Sequence, residues 1–524
     1  MNTSKTRLKK FVGIIVSVML VVGSLSVSAF AGNNGTITAN NIEAGATVKA
    51  YKIVGQNASG EWVAVKDGSI ADPLNPTAAE ITALAGDTSG LTAITMDAGE
   101  DSTTVDGVDF VGYSKEGLEA GMYLVLVEDT DNALVYNPMI ISVNYYDDGA
   151  LEGGSISADS NFQVGEETAY AKSTKPTIDK KITGKTENGS VTGDGTTNGD
   201  TLAVGDDVSF EITTTIPAYS ALYDNDKLKF EISDTLSSGL DPAENIKVFE
   251  GETELTEDTE YTLSQNGNNF TISFAKSYLL SGQAKDIKVT YDSKLNENAT
   301  SGFDANTNKA EIEYSNTPDT TEDKDKTTYK YTFDIDGNVF GDKTGKEIKK
   351  VGVDATTGEL ITLESSTTTS SPLSGAEFTL YKTSDDSAVG SATTDGEGLM
   401  NFTGLDAGEY YLVETKAPAG YKTNSTKVPV KIEATLNADG TLASYSVTIN
   451  GQNTTTYTGS YEGEEITVTD DTNTSLFNNY KAGVLPSTGG DGIYFYIITG
   501  AVLICLAILL YTRSKKNENA REDA

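Results

Sequence analysis

Three side chains with the chemistry of a condensation lie on apolar strand faces in the middle of the chain. Lys180, Asp234 and Asn308 each alternate with apolar residues in runs rich in Ile, Phe and Tyr. Because successive side chains of a strand point to opposite faces, this alternation places an amine, a carboxylic acid and a side-chain amide inside a core. A lone buried charge is strongly unfavourable, so the pattern indicates a chemical role for the three groups.

A second set follows in the same order towards the C-terminus. Lys350, Glu414 and Asn479 also alternate with apolar residues. The acid is now a glutamate, but the order of amine, acid and amide is unchanged. Because the order occurs twice, we interpret both sets as reactive groups rather than as chance placements.

The chemistry that this combination supports is an intramolecular condensation. Burial lowers the pKa of a lysine and raises that of a carboxylic acid, so both groups can be neutral in a core. The free amine then adds to the side-chain carbonyl of asparagine, the acid stabilises the oxyanion and relays protons, and ammonia leaves. The predicted products are two isopeptide bonds, Lys180–Asn308 and Lys350–Asn479.

The pattern leaves alternatives open. Lysine side chains on strands often extend to the rim of a sheet, where their charge is solvated and unreactive. Lys181 directly follows Lys180, and Asn478 directly precedes Asn479, so either neighbour is an alternative reacting residue.

The segments that carry these residues are predicted to be β-strands of separate modules. Short runs of alternating apolar and polar residues, separated by Gly, Asn and Asp, fill most of the chain. With almost no helical periodicity, they predict an all-β fold of tandem immunoglobulin-like β-sandwiches. Composition shifts at 173–176 and 315–328 suggest module one at 32–172, module two at 173–318 and module three at 328–484.

The composition excludes several classes of function. The 524 residues include no His, and the only cysteine, Cys505, lies in an apolar segment near the C-terminus. Imidazole-based triads, thiol proteases and intramolecular disulfides are therefore excluded. The formal net charge of −39 disfavours nucleic acid and anionic lipid as partners. We predict a non-enzymatic protein without a cofactor, apart from the bonds that it forms in itself.

One acidic segment has part of the spacing of a calcium-binding loop. Asp334, Asp336 and Asn338 match the first three ligand positions, but Val339 replaces the glycine and Gly345 replaces the bidentate glutamate. We therefore predict a tight turn and no metal site.

Both ends of the chain carry processing signals. Residues 1–31 combine basic side chains, an apolar stretch and small final residues, which is typical of a secretory signal peptide. Near the other end, the uncharged segment 493–511 has the length of a membrane-spanning helix, and the basic tail 512–524 follows it. Just upstream lies a pentapeptide made of Leu485, Pro486, Ser487, Thr488 and Gly489.

These signals and one of the modules resemble parts of known surface proteins. The order of pentapeptide, apolar segment and basic tail resembles the cell-wall sorting signal read by sortase transpeptidases of Gram-positive bacteria. Residues 373–381 and 414–421 resemble the collagen-adhesin B-type domain of Gram-positive pilins, in which Glu414 would be the acid of the E-box.

The other two modules extend the resemblance. Module two is similar to the middle domain of major pilins in residues 205–217 and 308–316, and module one is similar to their N-terminal domain in 35–38 and 136–139. The chain thus resembles a Gram-positive major, or backbone, pilin. No amine, acid and amide set is predicted for module one, where Glu128 is interpreted as an ordinary acid at a strand end.

The resemblance implies how subunits would be joined. A sortase would cleave between Thr488 and Gly489 and transfer the Thr488 thioester to an exposed amine of another copy. Backbone pilins supply that amine from a Tyr-Pro-Lys-Asn-like motif at the end of their first domain, where Lys172 lies here in Tyr-Ala-Lys-Ser. Lys172 is therefore the predicted acceptor, with Lys175 and then Lys181 as alternatives.

The resemblance also implies partners and a location. The partners would be other copies of the chain, a pilus-class sortase, minor pilins and peptidoglycan, whereas the sequence indicates no particular host ligand. The precursor would be held in the plasma membrane by 493–511 before the product is anchored in the cell wall. The alternative is a wall-anchored adhesin that stays monomeric, or a minor pilin.

Overall fold

A computed structural model describes most of the three modules. It covers residues 35–128, 130, 133–143, 163–187, 190–192, 197–353, 371–463, 465–481 and 492–522. The predicted signal peptide and the pentapeptide 485–489 lie outside the described residues.

Module one consists of two larger sheets, one two-stranded sheet and one helix. Its elements are β1 (Gly35–Glu43), β2 (Thr47–Gln56), β3 (Trp62–Ala64), α1 (Ala78–Gly86), β4 (Ala93–Thr95), β5 (Asp97–Val105), β6 (Val108–Leu118), β7 (Gly121–Glu128), β8 (Val135–Tyr136), β9 (Met139–Val143), β10 (Gln163–Glu166), β11 (Thr168–Tyr170) and β12 (Ser173–Thr174). The sheets have the orders β11-β1-β6-β5 and β10-β9-β7-β2-β3, with β4 also paired to β2. Ile37 and Val125 meet in the core between the sheets.

Module two is a sandwich of two six-stranded sheets. Its elements are β13 (Ile178–Glu187), β14 (Ser190–Thr192), β15 (Gly199–Thr201), β16 (Asp207–Ile216), a one-turn 3-10 helix (Ala221–Tyr223), β17 (Phe230–Leu236), β18 (Glu244–Glu250), β19 (Thr253–Glu254), β20 (Tyr261–Asn266), β21 (Asn269–Phe274), α2 (Lys276–Leu279), β22 (Lys285–Lys294), β23 (Asn306–Ser315) and β24 (Thr321–Tyr331). The orders are β14-β13-β16-β22-β18-β19 and β15-β24-β23-β17-β21-β20. Strict alternation buries Phe210 of the first sheet against Ile232 and Ile312 of the second.

Module three is built on one seven-stranded sheet. Its elements are β25 (Phe333–Ile335), β26 (Asn338–Phe340), β27 (Lys343–Thr344), β28 (Ile348–Val353), β29 (Glu377–Lys382), β30 (Ala388–Thr393), β31 (Phe402–Leu405), β32 (Gly408–Lys416), β33 (Val428–Leu436), β34 (Leu442–Ile449), β35 (Asn453–Glu462), β36 (Glu465–Asp471) and β37 (Ser475–Tyr480). The large sheet has the order β30-β29-β32-β33-β34-β35-β36, and β28 pairs with β37. Ile348 and Phe477 of this pair share a core with Leu412 of the large sheet.

The predicted boundary at 315–328 is corrected by the structure. Most of this polar stretch belongs to β24, which pairs antiparallel with β23 from Asn306 to Ser315. The first half of β24 alternates between exposed and half-buried residues, all of them polar. Because no apolar residue marks the inward face, the sequence of this half lacks the apolar–polar alternation that indicates a strand. Module two therefore extends to Tyr331 rather than ending at residue 318.

Polar and apolar contacts join module two to module one. Tyr223 donates a hydrogen bond from its hydroxyl to the carbonyl of Tyr136 at 2.7 Å, and Asn137 donates from Nδ2 to the carbonyl of Ala218 at 2.9 Å. Leu222 of the 3-10 helix lies in the same apolar cluster as α1 of module one. These buried contacts fix how the two modules meet.

Module two also contacts module three closely. Lys185 donates from Nζ to Asp406 Oδ2 at 2.8 Å, and Phe303 lies in the core cluster of module three. Gly199 packs against the backbone of Gly440 so tightly that a Cβ atom at residue 199 would overlap it. A larger residue at 199 would therefore separate the modules.

A C-terminal helix, α3 (Gly492–Glu522), follows module three. It spans the segment 493–511 and most of the basic tail. In the part of the chain that the structure describes, no helix is both long enough and apolar enough to cross a membrane.

The segment with calcium-like spacing forms a turn whose carboxylates bind backbone amides. Asp334 Oδ2 accepts from the Asn338 N–H at 2.9 Å, and Asp336 Oδ1 accepts from the N–H of Glu347 at 2.7 Å. Asp336 has φ 52°, in the left-handed region that Asp tolerates in tight turns. Among the described residues, no cluster of three or more acidic or cysteine side chains is arranged to hold a metal ion.

This turn brings two acids together in the core of module three. Asp336 and Glu347 are both buried, and each accepts a hydrogen bond from the backbone N–H of the other. Burial, together with the charge of Glu347, raises the pKa of Asp336 to about 8. A proton on Asp336 therefore stabilises the fold.

We predict that module three loses stability as the pH rises. The pKa of Asp336 is higher in the folded than in the unfolded chain, so protonated Asp336 adds to the free energy of unfolding. This contribution is complete below the usual carboxyl pKa of 3.8 and is lost as the pH rises through about 8. Glu347→Gln removes the neighbouring charge and should flatten this loss in urea titrations at pH 5 and pH 9. Glu409→Gln, at an exposed site, is the control and should keep it. An undiminished loss in Glu347→Gln would contradict the assignment.

Candidate isopeptide sites

The first predicted trio is assembled from both sheets of module two. Lys180 lies on β13 in one sheet, whereas Asp234 on β17 and Asn308 on β23 lie in the facing sheet. In the register of β17 and β23, Asp234 is opposite Ala310 and Asn308 is opposite Leu236, so acid and amide are diagonal neighbours on one face. All three side chains are buried.

The three groups are in direct contact. Lys180 Nζ lies 2.6 Å from Asn308 Oδ1 and also contacts Asp234 Oδ2. Asn308 donates from Nδ2 to the hydroxyl of Tyr291 at 3.0 Å, which orients the amide with its oxygen towards the amine. The rings of Phe210 and Tyr291 lie 5.5 and 5.6 Å from Nζ and separate the amine from water.

Burial sets the protonation of this trio. It lowers the pKa of Lys180 to about 8, against the opposing effect of Asp234, and it raises the pKa of Asp234. Both shifts favour the neutral form of the pair, in which the proton lies on the acid and not on the amine. A neutral amine beside a carbonyl and a protonated acid is the arrangement that a condensation needs.

The second trio joins neighbouring strands of module three. Lys350 on β28 and Asn479 on β37 lie on parallel partners, with Lys350 opposite Phe477 in the register. Glu414 reaches them from β32 of the large sheet. All three side chains are again buried.

The acid of this trio contacts both the amine and the amide. Lys350 Nζ is 3.5 Å from Glu414 Oε1, and Asn479 donates from Nδ2 to the same oxygen at 2.8 Å. Lys350 also donates to the carbonyl of Phe477 at 3.1 Å. Burial lowers the pKa of Lys350 to about 8. Burial therefore favours the neutral form of this amine, as in module two.

The geometry distinguishes the neighbours that the sequence left open. Lys181 points away from the core and forms an ion pair with Asp179 at 3.1 Å. Asn478 is half-buried on the outer face of β37, whereas Asn479 is fully buried beside Glu414. Lys180 and Asn479 are the members of each pair that contact the acids.

Residues named for subunit joining lie at the junction of modules one and two. Lys172 is exposed directly before β12, and its backbone carbonyl accepts a hydrogen bond from the Asn137 N–H at 3.1 Å. Lys175 is exposed after β12. Glu128 ends β7 and forms an ion pair with Lys49 at 2.6 Å, where both side chains are partly exposed.

The sequence reasoning missed a further buried lysine. Lys330 on β24 is fully buried in module two, and its Nζ lies 4.6 Å from the centroid of the Phe210 ring. The rule that found Lys180, apolar residues two positions away on the strand, gives no signal for Lys330, because Thr328 and Thr332 occupy those positions. Its inward position follows from the pairing of β24 with β23, which the local sequence pattern does not record.

Comparisons with known protein families cover most of the chain. Residues 32–173 match the T6 antigen Ig-like domain, 196–328 match the Sgo0707 N2 domain, 358–448 match the prealbumin-like fold domain called SpaA, and 478–519 match the LPXTG cell wall anchor motif. These matches confirm the predicted all-β, immunoglobulin-like modules and the sorting signal.

Two curated relatives extend over nearly the whole chain. The trypsin-resistant surface T6 protein of Streptococcus pyogenes serotype M6 is 27% identical over 497 residues, covering 91% of this chain and 82% of that protein. The fimbrial subunit type 2 of Actinomyces naeslundii is 26% identical over 509 residues, covering 88% and 79%. Neither name describes an enzyme, in agreement with the prediction of a structural protein.

A solved structure agrees in fold. The T6 backbone pilin of serotype M6 Streptococcus pyogenes, described as a modular three-domain structure, has a TM-score of 0.56 and 21% identity, covering 87% of this chain and all of that one. The modules, the anchor motif and these relatives together identify the chain as a homologue of Gram-positive pilins, as its sequence predicts.

Proposed function

We propose that the chain is the shaft subunit of a pilus that a sortase assembles covalently and anchors in the cell wall, and that modules two and three each form an internal Lys–Asn bond. The observation that carries the proposal is the burial, in both modules, of an amine and an asparagine side chain against the same acid. In module two the amine also contacts the side-chain carbonyl oxygen of the asparagine. The anchor motif and the pilin homology support the location at the cell-wall surface.

The internal bonds form by amine attack and loss of ammonia. Lys180 Nζ attacks the side-chain carbon of Asn308 as its proton passes to Asp234, and the tetrahedral oxyanion is stabilised by the acid. Asp234 then returns a proton to the leaving nitrogen, so Nζ retains one hydrogen and one ammonia molecule leaves. Lys350 and Asn479 react in the same way, with Glu414 as the acid.

Each bond closes a long loop. The reacting side chains of module two are 128 residues apart in sequence. By analogy with a disulfide, closing a loop of that size stabilises a fold by about 5 kcal/mol through the entropy of the unfolded chain. The bonds thus supply the covalent stabilisation that a chain with a single cysteine lacks.

We predict that the exported chain, after removal of residues 1–31, is lighter than the mass of its remaining sequence by two ammonia molecules. Asp234→Ala and Glu414→Ala should each restore the mass of one ammonia, since each removes one proton relay, and the double variant should restore both. Intact-mass spectrometry measures this directly. Asp179→Ala, which changes a partly exposed acid one residue from Lys180, is the control and should leave the loss at two. Full sequence mass in the unsubstituted protein would reject the internal bonds.

The bond between subunits is proposed to join Thr488 to Lys172. An acceptor must be exposed, and Lys172 is exposed at the junction of modules one and two. Lys175 is the next candidate because it is exposed a few residues further on, whereas Lys181 is engaged by Asp179. Transfer of the Thr488 acyl group to the amine releases the sortase thiol and forms one amide bond per subunit.

Export and retention are proposed to use the two ends of the chain. The signal peptide 1–31 is removed on export, and 493–511 holds the precursor at the membrane until the sortase cleaves after Thr488. Large apolar side chains of this segment, including Ile498 and Leu509, are exposed along α3, which fits a lipid surrounding. Minor pilins and peptidoglycan are the remaining proposed partners.

We predict that a pilus-class sortase converts the purified chain, with its sorting motif, into a ladder of covalent multimers. Lys172→Ala should abolish the ladder because it removes the acceptor amine, and denaturing electrophoresis measures this. Lys175→Ala is the matched control and should leave the ladder intact. If the ladder persists in Lys172→Ala and is lost in Lys175→Ala, Lys175 is the acceptor instead of Lys172. If the unsubstituted chain gives no ladder, the monomeric wall-anchored adhesin is favoured.

A further inference from the structure

Lys330 is a second amine in the core of module two that the proposed condensation does not use. It lies on β24, two positions along from Thr328, which is opposite Asn308 in the register. Its Nζ has no hydrogen-bond partner among the residues that the structure describes. An unpartnered amine in a dry core is costly, so its presence requires an explanation.

The charged and titratable groups that face Lys330 come from three strands. They are Lys180 of β13, Asp200 of β15 and Asp234 of β17. Burial, followed by the positive charge of Lys180, lowers the pKa of Lys330 well below its usual value, and the two aspartates oppose the shift. While Lys180 keeps its amine, burial and the nearby charge both disfavour the protonated form of Lys330, whose Nζ has no hydrogen-bond partner among the described residues.

One carboxyl oxygen of Asp234, in the same cluster, is not used by Lys180. Its Oδ2 is engaged by Lys180, whereas Oδ1 is buried and has no hydrogen-bond partner among the described residues. The unreacted core therefore contains two amines and one acid, and only one of the amines is bound. The unsatisfied oxygen and the unsatisfied amine interact electrostatically across the core.

The condensation changes this balance. Lys180 Nζ and the Asn308 carbonyl become a neutral secondary amide, and the former Asn308 nitrogen leaves as ammonia. The amide nitrogen carries no charge and retains a single hydrogen, so Asp234 loses its cationic partner. At the same moment the Lys180 charge that disfavours protonation of Lys330 disappears, and Lys330 becomes the only lysine facing Asp234 in the described part of module two.

We propose that Lys330 replaces Lys180 as the partner of Asp234 once the Lys180–Asn308 bond has formed. The inference rests on the proposed function, because the exchange requires the condensation. Lys330 Nζ then donates a hydrogen bond to the carboxyl group of Asp234, which gives a partner to both Lys330 Nζ and Asp234 Oδ1. Lys330 is a positioning residue for the product state: it holds the acid after reaction and does not take part in the attack.

The proposal makes the effect of Lys330→Met depend on whether the bond is present. Without the bond, methionine replaces an unpartnered amine by an apolar side chain of similar length, which should raise the unfolding temperature of module two or leave it unchanged. With the bond, methionine leaves Asp234 buried without a cationic partner and with only the hydroxyl of Tyr291 to bind it, which should lower that temperature by several degrees. A purely structural lysine would give the same sign in both states.

Calorimetry of the full exported chain provides the test. Lys330→Met is measured in the unsubstituted background and in Asn308→Ala, which cannot form the bond but retains the contact between Lys180 and Asp234. The transition of module two is the one that Asn308→Ala shifts. Lys326→Met, on the same strand but partly exposed, is the matched control and should have little effect in either background. The same sign of change for Lys330→Met in both backgrounds overturns the exchange.

A second measurement covers the case in which Lys330→Met does not fold. A crystal structure of the bonded, unsubstituted chain should place Lys330 Nζ within hydrogen-bond distance of an Asp234 carboxyl oxygen, and a separation like that before reaction overturns the proposal. Intact mass separates the two levels of inference. Loss of ammonia without the exchange refutes only the role of Lys330, whereas full mass in the unsubstituted chain refutes the proposed bond and, with it, the exchange.

Discussion

The structure depends on the burial of two lysine amines in protein cores, where water does not solvate them. Lys180 and Lys350 are each enclosed by apolar and aromatic side chains. Taking an ammonium group out of water costs several kcal/mol unless it is paired or neutralised. Both modules meet this cost by placing an acid against the amine, and in the proposed mechanism the same contact prepares the amine to react. The contact between amine and acid therefore stabilises the fold before the reaction, and it is lost when the proposed bond converts the amine to an amide.

The two modules reach this arrangement through different strand geometries. In module two the amine and the amide stand on opposite sheets, so a bond between Lys180 and Asn308 ties the sheets of the sandwich to each other. In module three Lys350 and Asn479 stand on adjacent parallel strands, and only the acid comes from the large sheet. A bond there ties the first long strand of the module to its last. Because the requirement is a contact between three groups, either topology can satisfy it.

Much of this could be predicted from alternation alone. The period of two placed Lys180, Asp234 and Asn308 on inward faces because each has apolar neighbours two residues away on its strand. Lys330 was not predicted because the first half of its strand consists of polar residues. The pairing of Asp336 with Glu347 was not predicted because it depends on a turn that brings a backbone amide to each carboxylate. Strand register and loop closure between distant segments are set by tertiary packing, which the local pattern of residue types does not record.

The placement of the trios agrees with the path that tension would take along a polymer joined as proposed. If Thr488 of one subunit is bonded to Lys172 of the next, a pull on the fibre passes through residues 172–488 and therefore through modules two and three, the modules with buried amines. Module one lies outside that path, and none of its described lysines is buried. Its strand β8 instead pairs with β12, and Asn137 binds the carbonyl of Lys172. Under the proposal, module one would hold the acceptor segment in place, while the two crosslinked sandwiches would resist extension.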